Sequence, residues 1–179
     1  MQLPTEELTA RARRLRLLLL DVDGVLTDGA VHIDDRGGEA KRFFIRDGAA
    51  IVWARREGLE VGLLSGRASG ATTRRAAELG LRIVSQGDLD KRQAFERILA
   101  ANGLTAEEVA YMGDDLIDLA VLARVGLSAA PADAADEVQA RVNWVSRYPG
   151  GRGAVRELVE LVFRARGRWD AMVEEYEKK

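Results

Sequence analysis

The stretch LRLLLLDVDGVLTDG, residues 15–29, predicts a buried β-strand that ends in two carboxylates. We assign 15–22 to this strand, because the segment is short and mostly apolar, which is typical of a central strand in a parallel sheet. Asp21 and Asp23 stand at the carboxyl end of this run, and open parallel sheets bind their ligands at that end. We therefore expect the chemistry of this chain to centre on Asp21 and Asp23.

The rest of the chain repeats the pattern, because short apolar runs alternate with longer amphipathic segments. This alternation predicts an α/β fold, a Rossmann-like parallel sheet with helices on both faces. The further predicted strands are 59–64, 82–85, 109–112, 126–129 and 142–145. The predicted helices are 48–57, 69–79, 90–101, 115–124, 132–137 and 152–166.

One segment interrupts the alternation directly after the first strand. Residues 29–44 contain two short β-like runs around Asp-Asp-Arg-Gly-Gly, which predicts an inserted β-hairpin. The segment between Asp23 and Asp47 is too short for a cap domain with its own core. We predict a single domain over 1–179, with its core at about 15–166 and a C-terminal tail, 167–179, that is either a frayed helix or mobile.

Composition excludes several classes of function. The chain has 179 residues, 47% of them hydrophobic, and a net charge of −2 from 27 basic and 29 acidic residues. No general basic field favours nucleic acid or an anionic membrane, and no apolar run reaches membrane-spanning length. The absence of cysteine excludes disulfides and thiolate sites. We expect a protein of the cytoplasm without nucleic-acid or membrane partners.

Acidic residues at two strand ends predict a cation site. Asp21 follows the first strand, and Asp114 and Asp115 follow the strand at 109–112. Two carboxylates about 4 Å apart repel by about 4 kcal/mol at an effective dielectric of about 20. Magnesium prefers oxygen ligands and tolerates several carboxylates together with a substrate phosphate, so we expect Mg²⁺ there.

The same edge of the sheet carries groups suited to phosphoryl transfer. Asp21 is placed to attack phosphorus, and Asp23 to protonate the leaving alkoxide and then activate water. Ser65 and the Gly66 amide follow the second strand and offer hydrogen bonds to phosphoryl oxygens. Lys91 begins the helix after the third strand and adds a positive charge. Asp23, Gly66 and Lys91 would thus touch the substrate.

Four segments, in order, resemble the motifs of haloacid dehalogenase superfamily phosphatases: DVDGVLTDG, LLSGR, Lys91 and GDDLIDL. Within that superfamily the chain is most similar to the 3-deoxy-D-manno-octulosonate 8-phosphate (KDO 8-phosphate) phosphatases and the related nonulosonate 9-phosphate phosphatases. The likeness spans about 15–166. It rests further on RDG at 46–48, ELGLRIVSQGDLDK at 78–91, YMGDDLIDLAVLARVGLSAAPADA at 111–134 and GGRGAVREL at 150–158.

The resemblance implies roles for individual residues. Asp21 would be the nucleophile, Asp23 the acid/base and a main-chain metal ligand, and Asp114 the second metal carboxylate. The implied substrate contacts are Arg46, Asp47, Gly48, Arg67, Arg75 and Lys91. The family also implies a homotetramer in which the hairpin of one subunit borders the active site of the next.

Two rival functions stay open. One is a phosphatase of the same mechanism that acts on a nonulosonate 9-phosphate or another small phosphorylated metabolite. The other is a non-catalytic, phosphatase-like module that promotes assembly.

Simpler structural roles also stay open for several residues. Asp118 has the spacing of a helix-capping or supporting residue, Ser65 of a helix cap, and Lys91 of a solvated helix residue. Arg75 has Glu78 within reach for an ordinary surface ion pair. The GGRG segment at 150–153 is more often a tight turn than a phosphate-binding loop.

Overall fold

The structure, a computed structural model, describes residues 5–178. Eight strands occur in this part of the chain: β1 Leu17–Leu20, β2 His32–Ile33, β3 Glu39–Ala40, β4 Glu60–Ser65, β5 Ile83–Gln86, β6 Val109–Met112, β7 Leu127–Ala130 and β8 Trp144–Val145. Six of them form one parallel sheet in the order β5-β4-β1-β6-β7-β8. The predicted parallel sheet is confirmed, with most strand ends shifted by one or two residues.

Strand β1 lies in the middle of this sheet. Its four leucines are buried, and it pairs in register with β4 on one side and with β6 on the other, for example Leu20 with Leu63 and with Met112. Because successive side chains of a strand point to opposite faces, Leu18 and Leu20 enter one core cluster and Leu17 and Leu19 the other. A strand buried on both faces explains the unbroken LLLL run.

Helices cover both faces, as predicted. They are α1 Thr5–Arg14, α2 Ile45–Arg56, α3 Gly70–Glu78, α4 Lys91–Asn102, α5 Leu119–Leu122, α6 Asp136–Gln139, α7 Ala154–Ala165 and α8 Trp169–Glu177. Ser69 caps α3 and Asp90 caps α4 through their side-chain oxygens. The helix-capping alternative for Ser65 is therefore wrong, because Ser69 is the residue that caps α3.

Three helical predictions need correction. Helix α2 begins at Ile45 rather than at 48, so the RDG segment lies in its first turn. The segment 115–124 is a 3-10 turn, Leu116–Asp118, followed by the single turn of α5. The short helix near 132–137 lies instead at Asp136–Gln139. A capping box between Asp115 and Asp118 tightens the second of these segments into the 3-10 form.

Both chain ends add helices to the core. Helix α1 was not predicted, and it packs against α7. The tail forms α8, whose Met172 is buried, while Trp169 packs on the same core cluster. Trp53 lies beside Trp169 in a T-shaped arrangement and donates a hydrogen bond to the Tyr176 hydroxyl at 2.8 Å. The helical alternative for the tail is the one that the structure has.

The inserted hairpin consists of β2 and β3, which pair antiparallel within the predicted segment. Its turn is closed by Asp34, whose carboxylate accepts hydrogen bonds from the amides of Arg36 and Gly38. Gly37 adopts a φ of +79°, which glycine accommodates without strain. Among the described residues the hairpin is the only structure between β1 and α2, so no cap domain is inserted there.

Candidate active site

The predicted catalytic groups converge at the carboxyl edge of the central strands. Asp21 directly follows β1, Ser65 is the last residue of β4, and Asp114 stands two residues after β6. The Asp21 amide donates to the Met112 carbonyl at 3.0 Å, which ties the two acidic loops together. Lys91 is the first residue of α4 and reaches the same place. Neighbouring parallel strands thus bring these residues into one crevice.

Lys91 is buried between two carboxylates. Its Nζ lies 2.9 Å from Asp21 Oδ1 and 2.6 Å from Asp118 Oδ1, and its side chain is 1% exposed. The Tyr111 hydroxyl donates to Asp118 Oδ1 at 2.5 Å and lies 3.3 Å from Lys91 Nζ. Burial lowers the pKa of Lys91, but these two carboxylates outweigh burial and raise it. The solvated-residue interpretation of Lys91 is therefore wrong.

Asp21, Asp114 and Asp118 offer carboxylate oxygens that all lie within 4.8 Å of one another. Burial, and then the charge of Asp118, raise the pKa of Asp21 to about 6, although Lys91 opposes the shift. Burial, Asp21 and Asp118 raise the pKa of Asp114 to about 8. The cluster therefore carries more negative charge than Lys91 alone relieves. A set of closely spaced, oxygen-only donors fits a hard divalent cation such as Mg²⁺.

The structure and the prediction differ in which carboxylate of the GDDLIDL segment joins Asp21 and Asp114. Asp118 is fully buried and also accepts hydrogen bonds from the amides of Asp114 and Asp115, at 2.9 and 3.2 Å. The Asp115 side chain is exposed and accepts from the Leu116 amide at 2.7 Å. The structure thus brings Asp118, and not Asp115, together with Asp21 and Asp114. The predicted metal role of Asp115 stays a prediction.

Asp23 faces residues of the hairpin and of the loop after β4. Lys41 Nζ donates to Asp23 Oδ1 at 2.6 Å, and Arg67 Nη1 lies 3.7 Å from Asp23 Oδ2. Arg67 is half exposed beside Asp23, which agrees with a position at the mouth of the crevice. Ser65 is buried and accepts from the Arg67 amide at 3.3 Å. Lys41 was not among the predicted site residues.

Gly66 lies at the crevice next to Lys91. A methyl group added to it would lie 3.2 Å from Ile117 Cδ1 and 3.8 Å from Lys91 Cε. The loop is therefore close-packed there, and the predicted role of the Gly66 amide toward phosphoryl oxygens stays a prediction. Gly24 is more restrictive, since its φ is +85° and a Cβ would lie 2.0 Å from Asp114 Oδ2. Only glycine lets the Asp23 loop approach the Asp114 carboxylate this closely.

Asp47 lies in the interior rather than at the crevice. It is 1% exposed, and its two oxygens accept hydrogen bonds from the amides of Gly153 and Arg156, at 3.2 and 2.8 Å. Burial raises its pKa to about 6 despite these two bonds. Its carboxylate binds the first turn of α7, as a helix-capping group does. This geometry favours a structural role over the predicted substrate contact.

Of the other predicted substrate contacts, Arg46 and Gly48 lie in α2 and Arg75 lies in α3. Arg46 is exposed and lines a cleft of about 210 Å³ with Arg147 and Arg152. Arg75 packs against Gly48, where a Cβ would lie 2.0 Å from Arg75 Nη2. Arg75 also pairs with Glu78 at 2.8 Å, the surface pair that was left open for it. None of these three contacts the Asp21 cluster within the described subunit.

The GGRG segment forms a turn that supports the catalytic loop. The Gly151 amide donates to the Val25 carbonyl at 2.8 Å, and the Gly150 amide donates to Asp133 Oδ1 at 2.8 Å. A Cβ on Gly150 would lie 1.8 Å from the Gly24 carbonyl oxygen. Both amides are thus used inside the protein, so the tight-turn interpretation is the one that the geometry favours.

The sequence of this chain is similar to those of known proteins. A family profile for haloacid dehalogenase-like hydrolases matches residues 79–158. The 3-deoxy-D-manno-octulosonate 8-phosphate phosphatase of Escherichia coli K12 is 43% identical over 164 residues, which are 92% of this chain and 87% of that protein. The chain belongs to the haloacid dehalogenase-like hydrolases. The predicted family is confirmed.

Solved structures of two phosphatases superpose closely on this hydrolase. The 3-deoxy-D-manno-octulosonate 8-phosphate phosphatase of Moraxella catarrhalis, in complex with magnesium, phosphate and KDO, superposes with a TM-score of 0.93 at 32% identity, covering 96% of this chain and 98% of that one. The Yersinia pestis phosphatase of the same name gives a TM-score of 0.90 at 40% identity, covering 92% and 89%. In the described part of this hydrolase, no helix is long and apolar enough to cross a membrane.

Proposed function

We propose that this chain is a Mg²⁺-dependent phosphatase that hydrolyses 3-deoxy-D-manno-octulosonate 8-phosphate to 3-deoxy-D-manno-octulosonate and phosphate. The observation that carries the proposal is the buried cluster of Asp21, Asp114 and Asp118 around Lys91 at the carboxyl edge of the sheet. The named relatives with the same fold act on this sugar-acid phosphate or bind its product.

In the proposed mechanism, Asp21 attacks the phosphorus atom and forms an aspartyl-phosphate as the bond from phosphorus to the sugar oxygen breaks. Asp23 gives a proton to the departing alkoxide and later takes one from the water that hydrolyses the intermediate. Lys91, Ser65 and the Gly66 amide face the phosphoryl oxygens and stabilise their charge.

Bound Mg²⁺ would neutralise charge on the phosphoryl group. We propose that Asp21, Asp114 and the main chain of Asp23 hold it. Asp118 would support these ligands through its contacts with Lys91 and the Asp114 amide. Asp115 is proposed as a further, outer ligand.

We propose further that the substrate's sugar acid contacts Arg46, Arg67 and Arg75. Arg67 is the best supported of these, since its guanidinium lies 3.7 Å from Asp23 Oδ2. Arg75 lines a cleft beside the hairpin with Lys41 and Phe43, and Arg46 lines a different cleft with Arg147 and Arg152. We propose that both reach substrate bound in the crevice of another subunit. Asp47 and Gly48 would support these arginines through α2.

The homotetramer is therefore part of the proposal. The hairpin presents Ile33 at 70% exposure, and Ile45 follows it at 73%, whereas Phe43 packs on the core of its own subunit. Two exposed isoleucines, one on the hairpin and one at the start of α2, support a subunit interface. We propose that hairpins of neighbouring subunits close each other's crevices in the cytoplasm.

The test is a set of phosphate esters assayed for released inorganic phosphate with Mg²⁺. It includes KDO 8-phosphate, a nonulosonate 9-phosphate and neutral hexose phosphates. We expect the highest kcat/KM on KDO 8-phosphate and no turnover by the Asp21→Asn variant, whose amide cannot act as the nucleophile. A higher kcat/KM on another ester would reassign the substrate. No release from any ester would favour the non-catalytic module.

A further inference from the structure

The hairpin contributes a buried cation that the proposed mechanism does not use. The Lys41 side chain is 0% exposed, and its Nζ lies 2.6 Å from Asp23 Oδ1. A lysine withdrawn from water in this way needs a specific carboxylate partner, because an unpaired buried charge is costly. Asp23 is that partner, and it is also the proposed acid/base.

The two oxygens of Asp23 are in different environments. Oδ1 accepts the hydrogen bond from Lys41, whereas Oδ2 is buried and has no hydrogen-bond partner among the described residues. Arg67 Nη1 lies 3.7 Å from Oδ2, beyond hydrogen-bond distance. An acid/base carboxyl needs this division, since one oxygen must be fixed and the other must be free to exchange a proton with the reactants.

Glu39 holds Lys41 and the hairpin in place. Its carboxylate accepts hydrogen bonds from Ser69 Oγ at 2.6 Å and from Arg67 Nη2 at 3.2 Å, and it lies 3.7 Å from Lys41 Nζ. Ser69 in turn caps α3, so the bridge runs from the hairpin to the loop after β4. The carboxylates and cations of Asp23, Glu39, Lys41 and Arg67 alternate and balance in charge.

We propose that Lys41 is a positioning residue for Asp23, held by Glu39, which fixes Oδ1 and leaves Oδ2 facing the leaving oxygen and the attacking water. The inference rests on the proposed function. In the first step the proton passes from Asp23 Oδ2 to the sugar oxygen as its bond to phosphorus breaks. In the second, Oδ2 takes a proton from water as the aspartyl-phosphate is hydrolysed. Lys41 neither gains nor loses a proton in either step.

Two simpler roles of Lys41, substrate binding and docking of the hairpin, make different predictions. A lysine that binds substrate would direct its ammonium group at the crevice, but the buried Lys41 Nζ lies 2.6 Å from Asp23 Oδ1 and 3.7 Å from Glu39 Oε1. A lysine that only docks the hairpin would affect every substrate alike. A positioning residue affects the step that needs a proton, because small misplacements of an acid/base group have large effects on rate.

The experiment compares Lys41→Met with Lys41→Arg on two esters, KDO 8-phosphate and p-nitrophenyl phosphate. We expect Lys41→Met to lower kcat on the sugar phosphate by about a hundredfold, with KM nearly unchanged. On p-nitrophenyl phosphate we expect kcat/KM to fall by less than about threefold, because kcat/KM covers only the steps up to release of p-nitrophenolate, which leaves without being protonated. The later hydrolysis of the aspartyl-phosphate, which is common to both esters, affects kcat and not this ratio. Lys41→Arg should restore part of the loss, since it keeps the cation.

The matched control is Arg82→Met, a cation that precedes β5 at the opposite edge of the sheet, pairs with Glu60 at 2.7 Å and is 77% exposed. It should leave both esters unaffected. The double variant with Asp23→Asn should be no slower than Asp23→Asn alone, because Lys41 acts only through that carboxylate. Thermal unfolding of each variant confirms that the assayed protein is folded.

Three results would overturn the proposal. Equal losses of kcat/KM on both esters would make Lys41 a docking residue, and a raised KM with unchanged kcat would make it a substrate contact. Losses that add to those of Asp23→Asn would show that Lys41 does not act through Asp23. If Asp23→Asn itself lowers kcat/KM equally on both esters, the acid role in the proposed function fails instead, and the two failures are thus distinguishable.

Discussion

The single substitution Asp47→Ala distinguishes a structural role of Asp47 from a contact with substrate. Asp47→Ala removes the acceptor of two amides in the first turn of α7, at 2.8 and 3.2 Å. Losing such a cap costs about 1–2 kcal/mol. At a urea m-value of about 2 kcal/mol per molar, the unfolding midpoint at pH 5 should fall by about 0.5–1 M. Tryptophan fluorescence reports the transition.

The cost should depend on pH in a defined direction. Because burial raises the folded pKa of Asp47 from 3.8 to about 6, the native chain binds its proton more tightly than the unfolded chain does. Native stability therefore falls as pH rises between about 4 and 6, and the deficit of Asp47→Ala should shrink by about 1.5 kcal/mol from pH 5 to pH 8. The control, Asp136→Ala, removes an exposed acid from the first turn of α6 and should show no such change.

Activity completes the test. We expect kcat and KM on KDO 8-phosphate to change by less than about threefold where the variant is fully folded, because Asp47 does not reach the crevice. Unchanged stability together with a strongly raised KM would refute the structural role and restore the substrate contact. A deficit that is the same at every pH would refute the raised pKa.

Two further predictions concern the cation and the assembly. Excess chelator should abolish activity and added Mg²⁺ should restore it. Ca²⁺ should inhibit, because its longer and more variable coordination loosens the in-line geometry. Gly24→Ala should raise the Mg²⁺ concentration needed for half-maximal activity, since the added Cβ would displace the Asp114 carboxylate. Full activity in chelator, or an unchanged Mg²⁺ requirement in the variant, would count against the site. Light scattering should give about four chains per particle, as the resembling family implies, and Ile33→Ser should reduce both the particle mass and turnover of the sugar phosphate, whereas Val84→Ser on the edge strand should not. A fully active monomer would contradict this assembly.

The central sheet was predictable because strands buried on both faces form continuous apolar runs, as in the four leucines of β1. Helix α2 was predicted to begin too late, since Gly48 resembles a helix boundary. In the structure Gly48 lies inside the helix, and Arg75 packs so closely on it that a side chain there would not fit. Propensity alone does not register such a tertiary contact.

The site was predictable where its residues end strands, and less so where tertiary contacts decide. Asp21, Ser65 and Asp114 follow from strand ends alone. Asp118 has the spacing of a helix cap and does fill that role, so nothing local reveals that Lys91 and Tyr111 also bind it. Lys41 reaches Asp23 only because the hairpin folds back over the crevice. The GDDLIDL spacing was the one signal available for Asp118.

The contact between Gly150–Gly151 and the catalytic loop also orders events during synthesis. The loop that carries Asp23 and Gly24 leaves the ribosome early, but its backbone rests on the carbonyl-to-amide contact between Val25 and Gly151. The central strand likewise waits for β6 to complete its second edge. A nascent chain that has not yet exposed residue 151 therefore lacks this contact between the Gly24 loop and the Gly150–Gly151 turn.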